Sequence, residues 1–244
     1  MCRRYLKPLV WCVWVAIVLP VNVLRAGGNP VKSHSSANAA KAAAFAEEVS
    51  NLYEQFDLKE MGLTKKAFQY ALKGYNYLLE HHWLNNPTIL SICDMSQSSR
   101  NKRLYVLDLD QKKVVVNTYV AHGRNSGGEF AHSFSNNPSS HKSSLGFYIT
   151  QDTYYGSNGF SLKIRGVERG FNDRANSRAI VVHGSEYVGP DFLQMNNFCG
   201  RSYGCPAVPA DESETIIDLI KEGSCLFIYY PTQKYLVRSK ILNY

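Results

Sequence analysis

Val181-Val182-His183-Gly184 is an apolar, β-branched run that ends in an imidazole and a glycine, and further along the chain stands Gly200-Arg201-Ser202-Tyr203-Gly204-Cys205-Pro206-Ala207. β-branched residues pack well on a pleated surface, so the first stretch reads as a strand that presents its histidine at a sheet end. Gly184 lets the chain turn there and lets another backbone approach closely. Gly204 ahead of Cys205 has a related use: it leaves the thiol accessible and lets backbone N–H groups point into the same space, as an acyl-transfer site requires for its oxyanion. A free thiol ionises near pH 8.5, roughly, so an imidazole that accepts its proton raises the thiolate fraction at neutral pH.

Outward from this pair the pattern stays mostly β. Ile89-Leu90-Ser91-Ile92, Leu104-Tyr105-Val106-Leu107 and Val114-Val115-Val116 are short apolar or alternating runs, and further strands are expected at residues 145–150, 161–165, 179–183 and 225–230. Gly- and Asn-rich loops at 122–128, 135–140 and 156–159 separate them. A helix is expected between the last two strands, opened by Pro209-Ala210-Asp211-Glu212, carrying Ile216, Ile217 and Ile220, and closed by Gly223.

Ahead of the strands the period is helical. Phe45, Val49, Leu52, Tyr53 and Phe56 fit a helix over about 39–58, and Thr64 is a good N-cap for a second that carries Phe68, Ala71, Leu72, Tyr75, Leu78 and Leu79 on one face. The expected fold class is mainly β (α+β), strands curled around a core, with an N-terminal helical hairpin. No internal repeat at a fixed period is visible.

The N-terminus has the layout of a secretory signal: Arg3, Arg4 and Lys7, then an apolar run over 9–19, then Ala26, Gly27 and Gly28. An uncleaved anchor is the alternative, against which count Pro8, Pro20 and a run well short of the roughly 20 residues a spanning helix needs. The domain reading is a signal peptide over 1–26, a flexible leader over 27–38, a helical segment over 39–84 and a catalytic domain over 88–238. Cleavage takes four of the 27 basic residues and none of the 20 acidic ones, so the net charge falls from +7 to about +3. No dense Lys/Arg block then remains to suggest a nucleic-acid partner. Cys93, Cys199, Cys205 and Cys225 stay, too few for a disulfide framework, and they allow two bridges or one bridge beside a reactive thiol.

His183-Gly184 with Ser202-Tyr203-Gly204-Cys205 resembles the murein L,D-transpeptidase catalytic domain family, whose hallmark is His-Gly followed by Ser/Thr-x-Gly-Cys. Ser143-Ser144-Leu145-Gly146-Phe147-Tyr148-Ile149-Thr150 is similar to the family's Gly-x-aromatic strand, and the likeness runs over roughly 89–235. Tyr203 stands where the common motif has a second histidine, and Pro206-Ala207-Val208 where it has an arginine or asparagine, so the chain resembles the branch with Gly-Arg-Ser-x-Gly-Cys-Pro-Ala.

The resemblance implies a curled β-sandwich or barrel with Cys205 as nucleophile and His183 as base. The carbonyl of Gly184 would fix the imidazole tautomer, and the N–H groups of Gly204 and Cys205 would hold the oxyanion. Arg201 would supply the carboxylate-binding charge, and Ser202, Tyr203, Tyr155 and Gly146 would complete the substrate site. The substrate would be a peptidoglycan stem tetrapeptide, opened at its terminal D-alanine to a thioester on Cys205 and resolved by a neighbouring amine, with no metal or cofactor. The protein would then be exported to the periplasm or cell envelope.

Other readings use the same residues. Water in place of the amine gives a carboxypeptidase or endopeptidase, and a groove without turnover gives a wall-binding protein. Cys205 could pair with Cys199, and His183, Cys199 and Cys205 are zinc-ligand types without the usual spacing. Cys93 and Cys225 sit in apolar runs and read as core. His122 and Arg124 lie in a polar loop that either reaches the pocket or is simply solvated.

Overall fold

The structure is a computed structural model that describes residues 34–244, with side chains from residue 37. Lys41–Tyr244 form one compact unit. The signal segment lies outside the described residues, and among those no helix is long and apolar enough to cross a membrane.

Two helices open the chain, α1 (His34–Gln55) and α2 (Lys65–Glu80). The helical pattern of α1 extends into residues 34–38, which composition alone assigned to a leader; the alanines at 39, 40 and 42–44 favour that continuation. Thr64 caps α2 as its residue type predicts, its hydroxyl accepting from Ala67 N–H at 3.2 Å. The two helices meet through Tyr53 and Phe56, whose rings lie 6.1 and 6.3 Å from that of Phe68. Phe68, Ala71, Leu72, Tyr75 and Leu78 are buried as the spacing predicts, while Leu79 faces outward.

Eight strands follow in one sheet: β1 (Ile89–Asp94), β2 (Leu104–Asp108), β3 (Lys113–Thr118), β4 (Gly146–Gly156), β5 (Gly159–Gly166), β6 (Val181–Ser185), β7 (Ala207–Pro209) and β8 (Cys225–Tyr229). Short helices α3 (Pro190–Met195), α4 (Ser213–Ile220) and α5 (Gln233–Arg238) lie between and after them. The sheet order is β3-β2-β1-β8-β4-β5-β6-β7. β1 and β8, far apart in sequence, pair in parallel at the centre, and every residue of both is buried. α2 packs over that pair, and its Gly74 leaves no room for a Cβ because the Phe147 ring, stacked on Phe227 at 4.1 Å, occupies the place.

The two edges of the sheet nearly meet. Ala121, just past β3, donates its N–H to the Ala207 carbonyl of β7 at 2.8 Å, and Gly123 bridges Ser202. This closure makes the molecule a nearly closed, barrel-like sheet with helices, the mainly β architecture expected. It also brings the β3–β4 connection over the turn that carries Cys205.

Candidate active site

His183 stands on β6, and Cys205 on the turn that leads into the neighbouring strand β7. β6 and β7 run parallel with His183 opposite Ala207, so Cys205 lies two residues before the partner of His183. At the strand spacing and rise of a sheet, that places the two Cα atoms about 8 Å apart.

The imidazole is 4% exposed, and its Nδ1 lies 2.9 Å from the carbonyl oxygen of Gly184. A carbonyl only accepts, so Nδ1 carries the proton and Nε2 is left as an unprotonated base. Burial holds the imidazole below its usual pKa, offset in part by the Gly184 bond, and so keeps it neutral.

The thiol of Cys205 is 9% exposed and points back along β6, where Sγ donates to the Ala179 carbonyl at 3.7 Å. Among the described residues no hydrogen bond joins it to His183. Burial pushes the thiol up, and the Val181 N–H and the Arg178 charge pull it part of the way back. Both groups are therefore neutral, and the hydrogen bond that the sulfur donates goes to the Ala179 carbonyl.

Cys205 follows a tight turn. Gly204 has φ +124°, a region that favours glycine, and a Cβ there would lie 2.8 Å from the Lys142 carbonyl oxygen and 3.2 Å from Nη2 of Arg178. Ser202 braces the turn from within: its hydroxyl donates to the Cys205 carbonyl at 2.7 Å and accepts from Gly204 N–H at 3.0 Å. Gly204 N–H is thus engaged within the turn, Cys205 N–H lies beside its own sulfur, and Ser202 is buried and holds the loop.

Of the other residues expected at the site, Tyr203 is 64% exposed at its rim, lying 4.5 Å from the His141 ring and 4.8 Å from the guanidinium of Arg124. Arg201 is exposed and donates to the carbonyls of Arg124 (3.4 Å) and Gly127 (3.1 Å). Tyr155 sits at the tip of the β4–β5 hairpin against Phe160, next to the Ser161 that faces His183. Gly146 is buried, and its missing Cβ makes room for the Glu168 carboxylate and Asn172.

All four cysteines of the described residues are free thiols. Cys93 and Cys225 are buried in the main core, whereas Cys199 packs in a separate small cluster and donates to the Ser99 carbonyl at 3.0 Å. His122 neither reaches a pocket nor meets solvent: it is fully buried, and its Nδ1 accepts from Nη2 of Arg103 at 2.8 Å. Burial and the Arg103 charge bring its pKa down to about 3, against which the carbonyls of Gly127 and Gly128 act only weakly; its Nε2 has no hydrogen-bond partner.

Arg178 was invisible to sequence reasoning. It stands in a turn just ahead of β6 beside the catalytic loop, and no local motif marks it. Lys142, whose carbonyl Arg178 holds, is the same residue that crowds Gly204.

Solved structures similar to this chain include an L,D-transpeptidase from Mycobacterium smegmatis (10% identity, 59% of each chain covered, TM-score 0.36). Another is an L,D-transpeptidase from Mycobacterium tuberculosis H37Rv (13% identity, 59% of this chain and 58% of that one, TM-score 0.35). A third is the helical cell shape determining protein Pgp2 from Campylobacter jejuni (12% identity, 67% of this chain and 57% of that one, TM-score 0.38). The alignments span less than two thirds of the length of each of these proteins. Among curated proteins none matched. The model of the L,D-transpeptidase catalytic domain matches residues 59–229, well over half of the chain, and the chain belongs to that family.

Proposed function

We propose that the protein is a cysteine-dependent L,D-transpeptidase that joins peptidoglycan stem peptides through a thioester on Cys205. The observation that carries this reading is the imidazole of His183, neutral, with Nδ1 tied to the Gly184 carbonyl and Nε2 left basic on the strand beside the Cys205 turn. A general base must be neutral at working pH and held in one tautomer, and both conditions are met.

The thiol's bond to Ala179 is long and weak, so rotation about the Cys205 side chain, rather than loop movement, would bring sulfur to imidazole when substrate arrives. His183 Nε2 then takes the thiol proton as Sγ bonds the carbonyl carbon of the diamino acid in a stem tetrapeptide. The C–N bond to the terminal D-alanine breaks, the imidazolium returns the proton to the departing amine, and a thioester remains. An amine of a neighbouring stem attacks the thioester and gives a proton to His183. The new amide forms as the thiolate leaves and is reprotonated. The Cys205 N–H would face the oxyanion, Tyr203 would line the entrance, and the exposed Arg201, held by two backbone carbonyls and the face of the Phe198 ring, would turn to a substrate carboxylate. Action on the wall places the protein in the cell envelope, in keeping with the exported N-terminus read from the sequence.

Purified tetrapeptide muropeptides provide the test. Wild type should release D-alanine, accumulate crosslinked dimers and show an acyl adduct by intact mass, and Cys205→Ala should do none of these. Tripeptides without dimers would replace transfer with hydrolysis. A Cys205→Ala protein as active as wild type would remove the assignment altogether.

A further inference from the structure

Arg178 is half-buried, and among the described residues no carboxylate lies within 4 Å of its guanidinium. Its Nη protons are all engaged. Nη1 donates to the Ser135 carbonyl at 2.9 Å and to the Ser144 hydroxyl, and Nη2 to the Lys142 carbonyl at 2.7 Å and the Ser140 hydroxyl at 3.3 Å. Neutral oxygens solvate this cation without cancelling its charge. A substrate carboxylate would have to break several of these bonds to reach it, unlike the loosely held Arg201.

The acceptors all belong to the 135–144 stretch, and that stretch packs on the catalytic turn. Ser143 Oγ lies 3.3 Å from the Gly204 carbonyl oxygen, and the Lys142 carbonyl oxygen fills the space that a Cβ on Gly204 would need. Arg178 is thus followed directly by Ala179, whose carbonyl receives the thiol, and it clamps the segment that shapes the loop ahead of that thiol.

We infer that Arg178 is a positioning residue of this site: it fixes the Cys205 turn through residues 135–144 and supplies the uncompensated positive charge that favours the thiolate form of Cys205. This rests on Cys205 being the nucleophile. An arginine is suited to both tasks, since its planar fork ties several acceptors while its charge persists at any working pH.

The other titratable and charged groups around the thiol do not supply that charge. His183 on β6 is neutral, and the Tyr187 phenol beyond β6 is held above its usual pKa by burial and stays protonated. From the 135–144 stretch, the Lys142 ammonium is drawn off to Ser133 Oγ at 2.7 Å and, unlike the Arg178 charge, does not act on the thiol, and the His141 ring lies against Tyr203.

Thiolate reactivity reads this without any peptidoglycan substrate. The pH profile of Cys205 alkylation by iodoacetamide is followed by peptide mapping; Cys93, Cys199 and Cys225, at most 1% exposed, serve as unreactive internal references. Arg178→Gln should raise the midpoint by about one pH unit and slow alkylation at pH 7 about tenfold. Arg178→Lys, which keeps a cation, and Ser144→Ala, which keeps the guanidinium, should hold the midpoint within about half a unit while lowering the melting temperature.

An unchanged midpoint in folded Arg178→Gln overturns the charge role. If Arg178→Gln does not fold, a shift of about a full unit in Arg178→Lys or Ser144→Ala overturns it, because loop geometry and not charge would then set the reactivity. Wild-type protein that alkylates as described but makes no muropeptide product would count against the proposed function alone. Turnover with an insensitive midpoint would count against Arg178 alone.

Discussion

Acid should unfold this protein in a window set by His122. The imidazole is fully buried, accepts a hydrogen from the buried Arg103 and cannot take a second proton without placing two cations side by side, which is why its folded pKa falls to about 3. In the unfolded chain the same group titrates near 6.5, roughly the free value. Between these values the unfolded state binds more protons than the folded one, so stability is fully present above the unfolded value and is lost as pH falls towards the folded one. For these two pKa values the loss is about 2 kcal/mol at pH 5 and about 3 kcal/mol at pH 4.

The assay is urea unfolding of wild type and His122→Asn from pH 7 to pH 4. Asparagine offers an amide oxygen close to the position of Nδ1, so Arg103 keeps an acceptor, and it does not titrate. The substitution leaves a smaller side chain in a packed site and costs some stability at every pH. The acid limb, however, should be shallower than that of wild type by about 2 kcal/mol between pH 7 and pH 5. His183 and the carboxylates titrate in both proteins and cancel in the comparison. Two curves separated by a constant over the whole range would show that His122 is not held neutral, and the account of the Arg103 contact would fail.

Two further outcomes follow from the packing. Glu168, 5% exposed, accepts from Phe147 N–H and the Tyr235 hydroxyl at 2.8 Å each and from Ser239 Oγ, so it ties the C-terminal α5 region to β4. Glu168→Ala should cost roughly 3 kcal/mol by leaving those donors unpaired, read as a lower urea midpoint with faster proteolysis of the C-terminal segment. Because burial raises the Glu168 pKa, its contribution is complete below the unfolded carboxyl value and erodes as pH rises through the folded one, so Glu168→Gln should be the milder change and less sensitive to alkali. Gly204→Ala puts a methyl 2.8 Å from the Lys142 carbonyl oxygen at φ +124°; displacing the turn by even an ångström should lower kcat/KM about 100-fold, measured with the muropeptide substrate.

What could be read in advance divides along the range of the interactions. β1, β2 and β8 announce themselves as short apolar runs buried on both faces, and α4 because Ile216, Ile217 and Ile220 recur at helical spacing. β7 does not: Ala207-Val208-Pro209 is too short to show a period and is a strand only because β6 lies beside it. The His183-Gly184 and Gly204-Cys205 stretches were legible because glycine and a reactive side chain stand next to each other in sequence. Arg103 and Arg178 were not. Each looks like an ordinary surface cation until distant carbonyls, those of Val120 and Gln97 for one and of Ser135 and Lys142 for the other, are folded around it. His122 misled for the same reason, since a polar loop around it predicts solvent, and the closing of the sheet removes that solvent.

That closing is also what makes the catalytic turn rigid. Ser202 N–H donates to the His122 carbonyl at 3.0 Å and Arg124 N–H to the Ser202 carbonyl at 2.8 Å, so the turn is stitched to the opposite edge of the sheet. Its own Ser202 hydroxyl braces it from inside, and the stretch clamped by Arg178 presses on it from the third side. Backbone fixed from three directions has little freedom to shift, whereas the thiol is held by a long contact to the Ala179 carbonyl and by the Val181 N–H. The freedom left to the site is therefore a side-chain torsion, a change between staggered wells that needs no loop to open. With Cys205 as the nucleophile proposed above, a site built this way would free the sulfur when a bound substrate displaces it from the Ala179 carbonyl.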